Sequence, residues 1–168
     1  MGYKAAGVGA FLLALVMAAP AFAADSWPKT SAPEFSVAFP KTPTEQQGKV
    51  DGIERHMYFQ QGAKKRIFTV LVDSFPAGKL KGRTVVGDAQ EVVQAFVERT
   101  GTEFVDWRPT KAQDHTGVEA LLKTQDGDEM VVRFFMVGDK VITAIYTYRA
   151  EDRDPADMTR FFDSLVLK

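Results

Sequence analysis

Two dipeptides constrain this chain more than anything else in it. Asp126-Gly127 lies between Leu121-Leu122 and Met130-Val131, and Gly138-Asp139 lies between Phe135-Met136 and Val141-Ile142. Asp, Asn and Gly are the residues that tolerate the backbone of a tight hairpin turn, and the flanking β-branched and aromatic residues suit pleated strands. Three consecutive antiparallel strands follow. The last, 141–148, is β-branched and aromatic throughout, which predicts a central strand lying under a helix.

The rest of the chain extends the same pattern. Residues 34–39 alternate polar and apolar, with Phe35, Val37 and Phe39 on one face of a strand that Pro40 ends. A polar loop is expected over 42–48. Residues 53–61 read as a second strand, with Ile53, Met57 and Phe59 on one side and Glu54, His56 and Tyr58 on a polar side. After a turn at 63–66, residues 67–72 are apolar on both faces, as in a strand well inside a sheet. A loop over 74–87 carries Pro76, Gly78 and Gly82 with Lys79, Lys81 and Arg83.

A helix follows, with Asp88 as its N-cap, Glu91 reaching back in a capping box and Gly101 as a left-handed stop. Ala89, Val92, Val93, Phe96 and Val97 form its apolar face. Strands are predicted at 104–110 and 117–124, joined by a polar segment over 111–116. Asp154-Pro155 opens a final helix whose stripe is Met158, Phe161, Phe162 and Leu165. The expected fold is α+β: a largely antiparallel sheet of six or seven strands packed with two helices.

The termini and composition set the context. Lys4, an uncharged apolar run and the small-x-small closure Ala21-Phe22-Ala23 predict a secretory signal peptide over 1–23. The run is shorter than the ~20 residues a spanning helix needs. A flexible leader is expected over 24–33 and a single α+β domain over 34–168, in a protein that is periplasmic or secreted. The 168 residues are 45% hydrophobic and 26% charged, a globular composition. With no Cys, disulfides, zinc-thiolate and iron–sulfur sites and thiol nucleophiles are excluded. A net charge of −1 shows no global preference for nucleic acid.

Two stretches carry a family resemblance: Phe35-Ser36-Val37-Ala38-Phe39-Pro40 followed by Pro43, and Phe161-Phe162-Asp163-Ser164-Leu165 closing a helix after a long aromatic strand. With the order of elements, they resemble the PsbP-like family over most of 35–167. The resemblance implies an antiparallel sheet between helices, an α/β/α sandwich, and a non-enzymatic accessory role in a secreted or lumenal setting. Its motifs are packing motifs, and no functional residue transfers through them.

Candidate chemistry is sparse. The two histidines, His56 and His115, are the first place to look for acid–base work at neutral pH, and neither sits in a motif. Asp126, Asp128 and Glu129 resemble the start of a calcium loop, but its sixth and twelfth places hold Val131 and Val137 instead of Gly and Glu. Lys64, Lys65 and Arg66 would form one basic patch with Lys79, Lys81 and Arg83 if their loops lay side by side. Trp107, Phe134, Tyr146 and Tyr148 are candidates to line a pocket. In that pocket Arg133 would anchor a carboxylate or phosphate, unless Glu119 on the neighbouring strand consumes it in an ion pair.

No nucleophile elbow, phosphate-binding glycine loop, zinc-protease helix or dinucleotide fingerprint occurs. The reading is a non-catalytic binding or accessory module for an envelope protein, complex or small ligand, with Lys79, Lys81, Arg83, Trp107, Arg133 and Tyr146 as binding candidates and no cofactor or metal expected. The alternatives are a hydrolase assembled from dispersed residues around a histidine and a carrier of a small apolar ligand.

Overall fold

In the computed structural model, residues 26–168 are described; the expected signal peptide lies outside them. In chain order the elements are β1 (Lys29–Ser31), β2 (Phe35–Ala38), β3 (Thr44–Val50), β4 (Ile53–Gln61), β5 (Ile67–Ser74), α1 (Ala89–Thr100), β6 (Glu103–Ala112), β7 (His115–Lys123), β8 (Glu129–Val137), β9 (Lys140–Tyr148), α2 (Pro155–Asp163) and β10 (Val166–Leu167). Seven strands form one antiparallel sheet in the order β3-β4-β5-β9-β8-β7-β6, and β1, β2 and β10 form a small second sheet. The three strands around the Gly-containing turns are β7, β8 and β9, and β9 is the middle strand of the seven, as its composition predicts. The chain leaves β5 near the sheet centre, crosses through α1 to the far edge at β6, and returns by hairpins until β9 pairs with β5.

Alternation along the central strands sends side chains to two separate cores. On one face Phe68, Val70, Val72, Ile142, Ala144, Tyr146 and Tyr148 pack against Phe35, Val37 and Phe39 of the small-sheet layer and against Phe161, Phe162 and Leu165 at α2. On the other, Leu71, Val118, Ala120, Leu122, Val132, Phe134 and Ile145 receive Ala89, Val93 and Phe96 of α1. β5 and β9 contribute to both, which is why their sequences lack a polar side.

The helix ends differ in how well the sequence foretells them. At α2, the Asp154 carboxylate accepts from the amides of Ala156 and Asp157 at 3.0 and 3.2 Å, with Pro155 at the first helical position. At α1, Gly101 closes the helix at φ 65°, a backbone that a Cβ would strain. The capping box is absent, however: Asp88 turns back to Arg83 and to the Thr84 amide, and Glu91 pairs with Arg83. A nearby guanidinium outcompetes the helix amides for both carboxylates.

Three loops of the sequence reading are structured. Lys29–Ser31, within the expected leader, pairs with β2, and Trp27 packs edge-on against Phe68 with ring centroids 5.2 Å apart. Most of the segment 42–48, read as polar loop, belongs to the edge strand β3; it pairs only with β4 and is almost wholly exposed, so it carries no apolar alternation. The segment 111–116 is mostly strand, with a tight turn at Gln113-Asp114. The Gln113 amide donates to the Leu165 carbonyl at 2.7 Å and accepts from the Leu167 amide at 3.2 Å, tying this hairpin to β10.

Candidate functional site

A sheet of seven strands is about 29 Å wide at ~4.8 Å per strand spacing. Its α1 face is crossed by a single twelve-residue helix, about 18 Å long and about 10 Å across. The loop after β5 adds Leu80 and Val85 to the cover, but part of the face stays open beside α1. The result is a cleft of about 540 Å³. Ile53, Leu71, Phe134, Met136, Val141 and Thr143 floor it; Val92, Ala95, Phe96 and Arg99 of α1 form one wall, and Phe75, Leu80 and Arg83 the rim.

The charged end of the cleft is built by strand register. Arg55 and Asp73 are direct partners on β4 and β5. They form a fork in which Nε donates to Oδ1 and Nη2 to Oδ2, both at 2.6 Å. Asp73 is 6% exposed, a burial that a carboxylate tolerates when both oxygens are bonded. The Asp73 hydrogen bonds, chiefly, hold the Arg55 guanidinium above its usual value, with Asp51 adding its field. Arg99, in the last turn of α1, approaches Asp73 Oδ2 at 3.8 Å, an ion pair without a hydrogen bond.

On the opposite face a smaller recess of about 350 Å³ lies between β6, β7, β8 and α2. Arg108, Glu119 and Arg133 face one another across three adjacent strands. Glu119 Oε1 accepts from Arg108 Nε and Nη2 at 2.9 and 2.5 Å, and Oε2 from Arg133 Nε at 2.7 Å. The Arg133 guanidinium also lies 4.3 Å from the centroid of the Phe162 ring. Tyr148 borders the recess, its phenol pushed up to about 12 by burial and by the neighbouring Glu129.

No family model and no curated protein matches the sequence. The architecture does have a solved counterpart. The solution structure of cyanobacterial PsbP (CyanoP) from Synechocystis sp. matches with a TM-score of 0.58 at 9% sequence identity, covering 91% of this chain and 99% of that one. The chain has the PsbP-like fold. A crystal structure from Bacteroides thetaiotaomicron matches with a TM-score of 0.46 at 11% identity, over 85% of this chain and 49% of its own. The fold expected from Phe35–Pro40 and from the closing helix is thus the fold observed, with the small sheet and α2 on one face of the large sheet and α1 on the other.

Within the PsbP-like fold, the binding candidates scatter. The two basic clusters do not meet: Lys64, Lys65 and Arg66 precede β5 and Lys79, Lys81 and Arg83 follow it, so a strand about 25 Å long separates them. Arg66 bonds Asp154 at 2.6 Å and lies 3.0 Å from Asp157, while Arg83 is held by Asp88 and Glu91. Lys79 and Lys81 stay exposed. The four aromatic candidates do not share a pocket: Phe134 faces α1, Tyr146 and Tyr148 are buried on the other face, and Trp107 is partly exposed on the edge strand β6. Trp107, Tyr148 and Arg133 do border the same recess, and Arg133 is paired with Glu119, as the adjacency of their strands predicts.

The histidines lie apart, His56 within β4 and His115 at the start of β7, and neither lines the cleft beside α1 or the recess on the opposite face. Asp126-Gly127 makes the expected β7–β8 turn. Sequence reasoning missed the cleft of Arg55, Asp73 and Arg99. Its available signal was Asp73 at the end of an otherwise apolar strand, a position that demands a cation.

Proposed function

We propose that this protein is a non-catalytic binding or accessory module that works in the periplasm or outside the cell and engages an envelope protein, complex or small ligand. The observation that carries the reading is the preformed cleft beside α1, which is apolar at its floor, charged at one end, and bordered by neither histidine. Pockets of this size and lining are the usual seats of small ligands. The strongly placed carboxylates and guanidiniums of the described residues are engaged with one another, as structural ion pairs. Among the described residues no helix is long and apolar enough to cross a membrane. The accessory role is the one the PsbP-like resemblance implies, and the export reading rests on the Ala21-Phe22-Ala23 pattern.

The test is complementation of a deletion strain combined with co-purification from envelope fractions at two ionic strengths. The double variant His56→Ala, His115→Ala is expected to rescue fully. Reversal of Lys79 and Lys81 to Glu is expected to weaken co-purification, in a salt-dependent way, since exposed charges act over about 8–10 Å. Intact-mass measurement should place the mature N-terminus at Ala24. Loss of rescue by a folded histidine variant, with the lysine variant behaving normally, would overturn the module and promote an enzyme.

A further inference from the structure

We infer that the cleft beside α1 binds an amphipathic monocarboxylate, with the apolar body on the Leu71–Phe134–Val141 floor and the carboxylate on Arg99. The inference rests on the small-ligand arm of the proposed function and names that ligand's chemistry.

The floor selects the body. Ile53, Leu71, Phe134, Met136 and Val141, with Phe96 of the α1 wall, offer contiguous hydrocarbon from four strands and a helix. The opening exists because α1 is narrower than the sheet it covers, so apolar surface stays available without any element having to move. Burying an apolar chain there is favourable in proportion to the area removed from water.

The charged end selects the head group. Both oxygens of Asp73 are occupied by the Arg55 fork, at 2.6 Å each. Arg99 therefore reaches this carboxylate only at 3.8 Å, and among the described residues its guanidinium makes no hydrogen bond. Two guanidiniums thus share one buried carboxylate, and the second keeps its planar fork of donors unspent at the cleft wall.

The acids around the cleft have other partners. Glu91 is bonded by Arg83 at 2.6 Å, Glu98 by the Gln94 amide at 2.9 Å, and Asp51 acts on Arg55. A ligand carboxylate would complete Arg99 with charge-assisted bonds. An ammonium head would meet the unspent guanidinium, and a neutral head would leave its donors without a charged partner.

The experiment titrates purified protein with dodecanoate, dodecanol and dodecyltrimethylammonium, keeping the two charged probes below their micelle range and the alcohol below its solubility limit. It is followed by calorimetry and by amide chemical shifts. Dodecanoate is expected to saturate one site and to move resonances of Ile53, Leu71, Phe96 and Val141. Dodecanol should bind at least about tenfold more weakly, the loss of one charge-assisted interaction.

Arg99→Gln, at an exposed helix position, should bring acid and alcohol within about threefold of each other while leaving thermal stability near the parent value. Ala95→Trp, also at an exposed position, should fill the cleft and weaken both by about tenfold or more. Absence of saturable dodecanoate binding, tighter binding of the ammonium, or an acid preference that survives Arg99→Gln would each overturn the inference. Those outcomes leave co-purification and complementation free to support the module itself, so the two failures are distinguishable.

Discussion

Glu119→Gln is the most informative single change outside the cleft. The carboxylate is 9% exposed and accepts three hydrogen bonds from two guanidiniums. The two arms differ in solvent: the Arg108 side chain is 74% exposed and the Arg133 side chain 19%. An exposed ion pair contributes ~0–1 kcal/mol, whereas stripping a buried charge of its partner costs ~3–5 kcal/mol at the extreme. Gln retains one acceptor oxygen but turns an amide N–H₂ toward one guanidinium, so a net cost of about 2–3 kcal/mol is expected, nearly all from the Arg133 side.

Urea denaturation reads this as a midpoint lowered by roughly 1–2 M at an unchanged slope. Double-mutant cycles apportion it: the coupling of Glu119 with Arg133 (Arg133→Met) should exceed about 1.5 kcal/mol and that with Arg108 (Arg108→Ala) stay below about 1 kcal/mol. An unchanged midpoint, or equal couplings, would refute the argument that burial decides the strength of this ladder.

Phe161 is fully buried between Phe39, Phe68 and Phe162, so Phe161→Ala should destabilise by ~3–5 kcal/mol, and a denaturant midpoint at the parent value would contradict the packing of α2. The Tyr146 hydroxyl is buried near the Arg66 guanidinium and the Asp154 backbone amide without a well-formed hydrogen bond to either, and burial, chiefly, raises its phenol pKa. Tyr146→Phe should therefore be neutral or stabilise by up to ~1 kcal/mol, and a loss larger than that would mean the hydroxyl is bonded after all. The Asp154 carboxyl is held below its ordinary 3.8 by the helix amide of Asp157 and by Arg66. A depressed pKa contributes stability above the unfolded value that disappears as pH falls through the folded one. The melting-temperature advantage of the parent over Asp154→Asn should accordingly be full at about pH 5 and be lost progressively on acidification through the depressed folded-state value; an advantage that does not shrink with acid would argue against the charge.

Elements whose determinants are local were legible along the chain. Asp126-Gly127, Gly138-Asp139, Asp154-Pro155 and Gly101 act through backbone conformations and amides within a few residues, so they turn, open or close their elements as expected. The pairing of Glu119 with Arg133 was legible too, because a hairpin places its strands side by side. Of the two edge strands, β6 was legible over 104–110 but β3 was not, nor was the strand character of much of 111–116, because an exposed strand needs no apolar alternation to betray it. Long-range geometry was decided only by the folded chain. Whether Lys64–Arg66 meets Lys79–Arg83 depends on the direction of β5, and Asp88 deserts the helix it should cap because Arg83 folds back beside it. The cleft itself is a mismatch in dimensions, one helix over a seven-stranded sheet. It gathers Arg55, Asp73 and Arg99 from two strands and a helix whose adjacency no local signal encodes, because pairing between distant segments is set by the packing of the whole sheet and not by the residues at the contact.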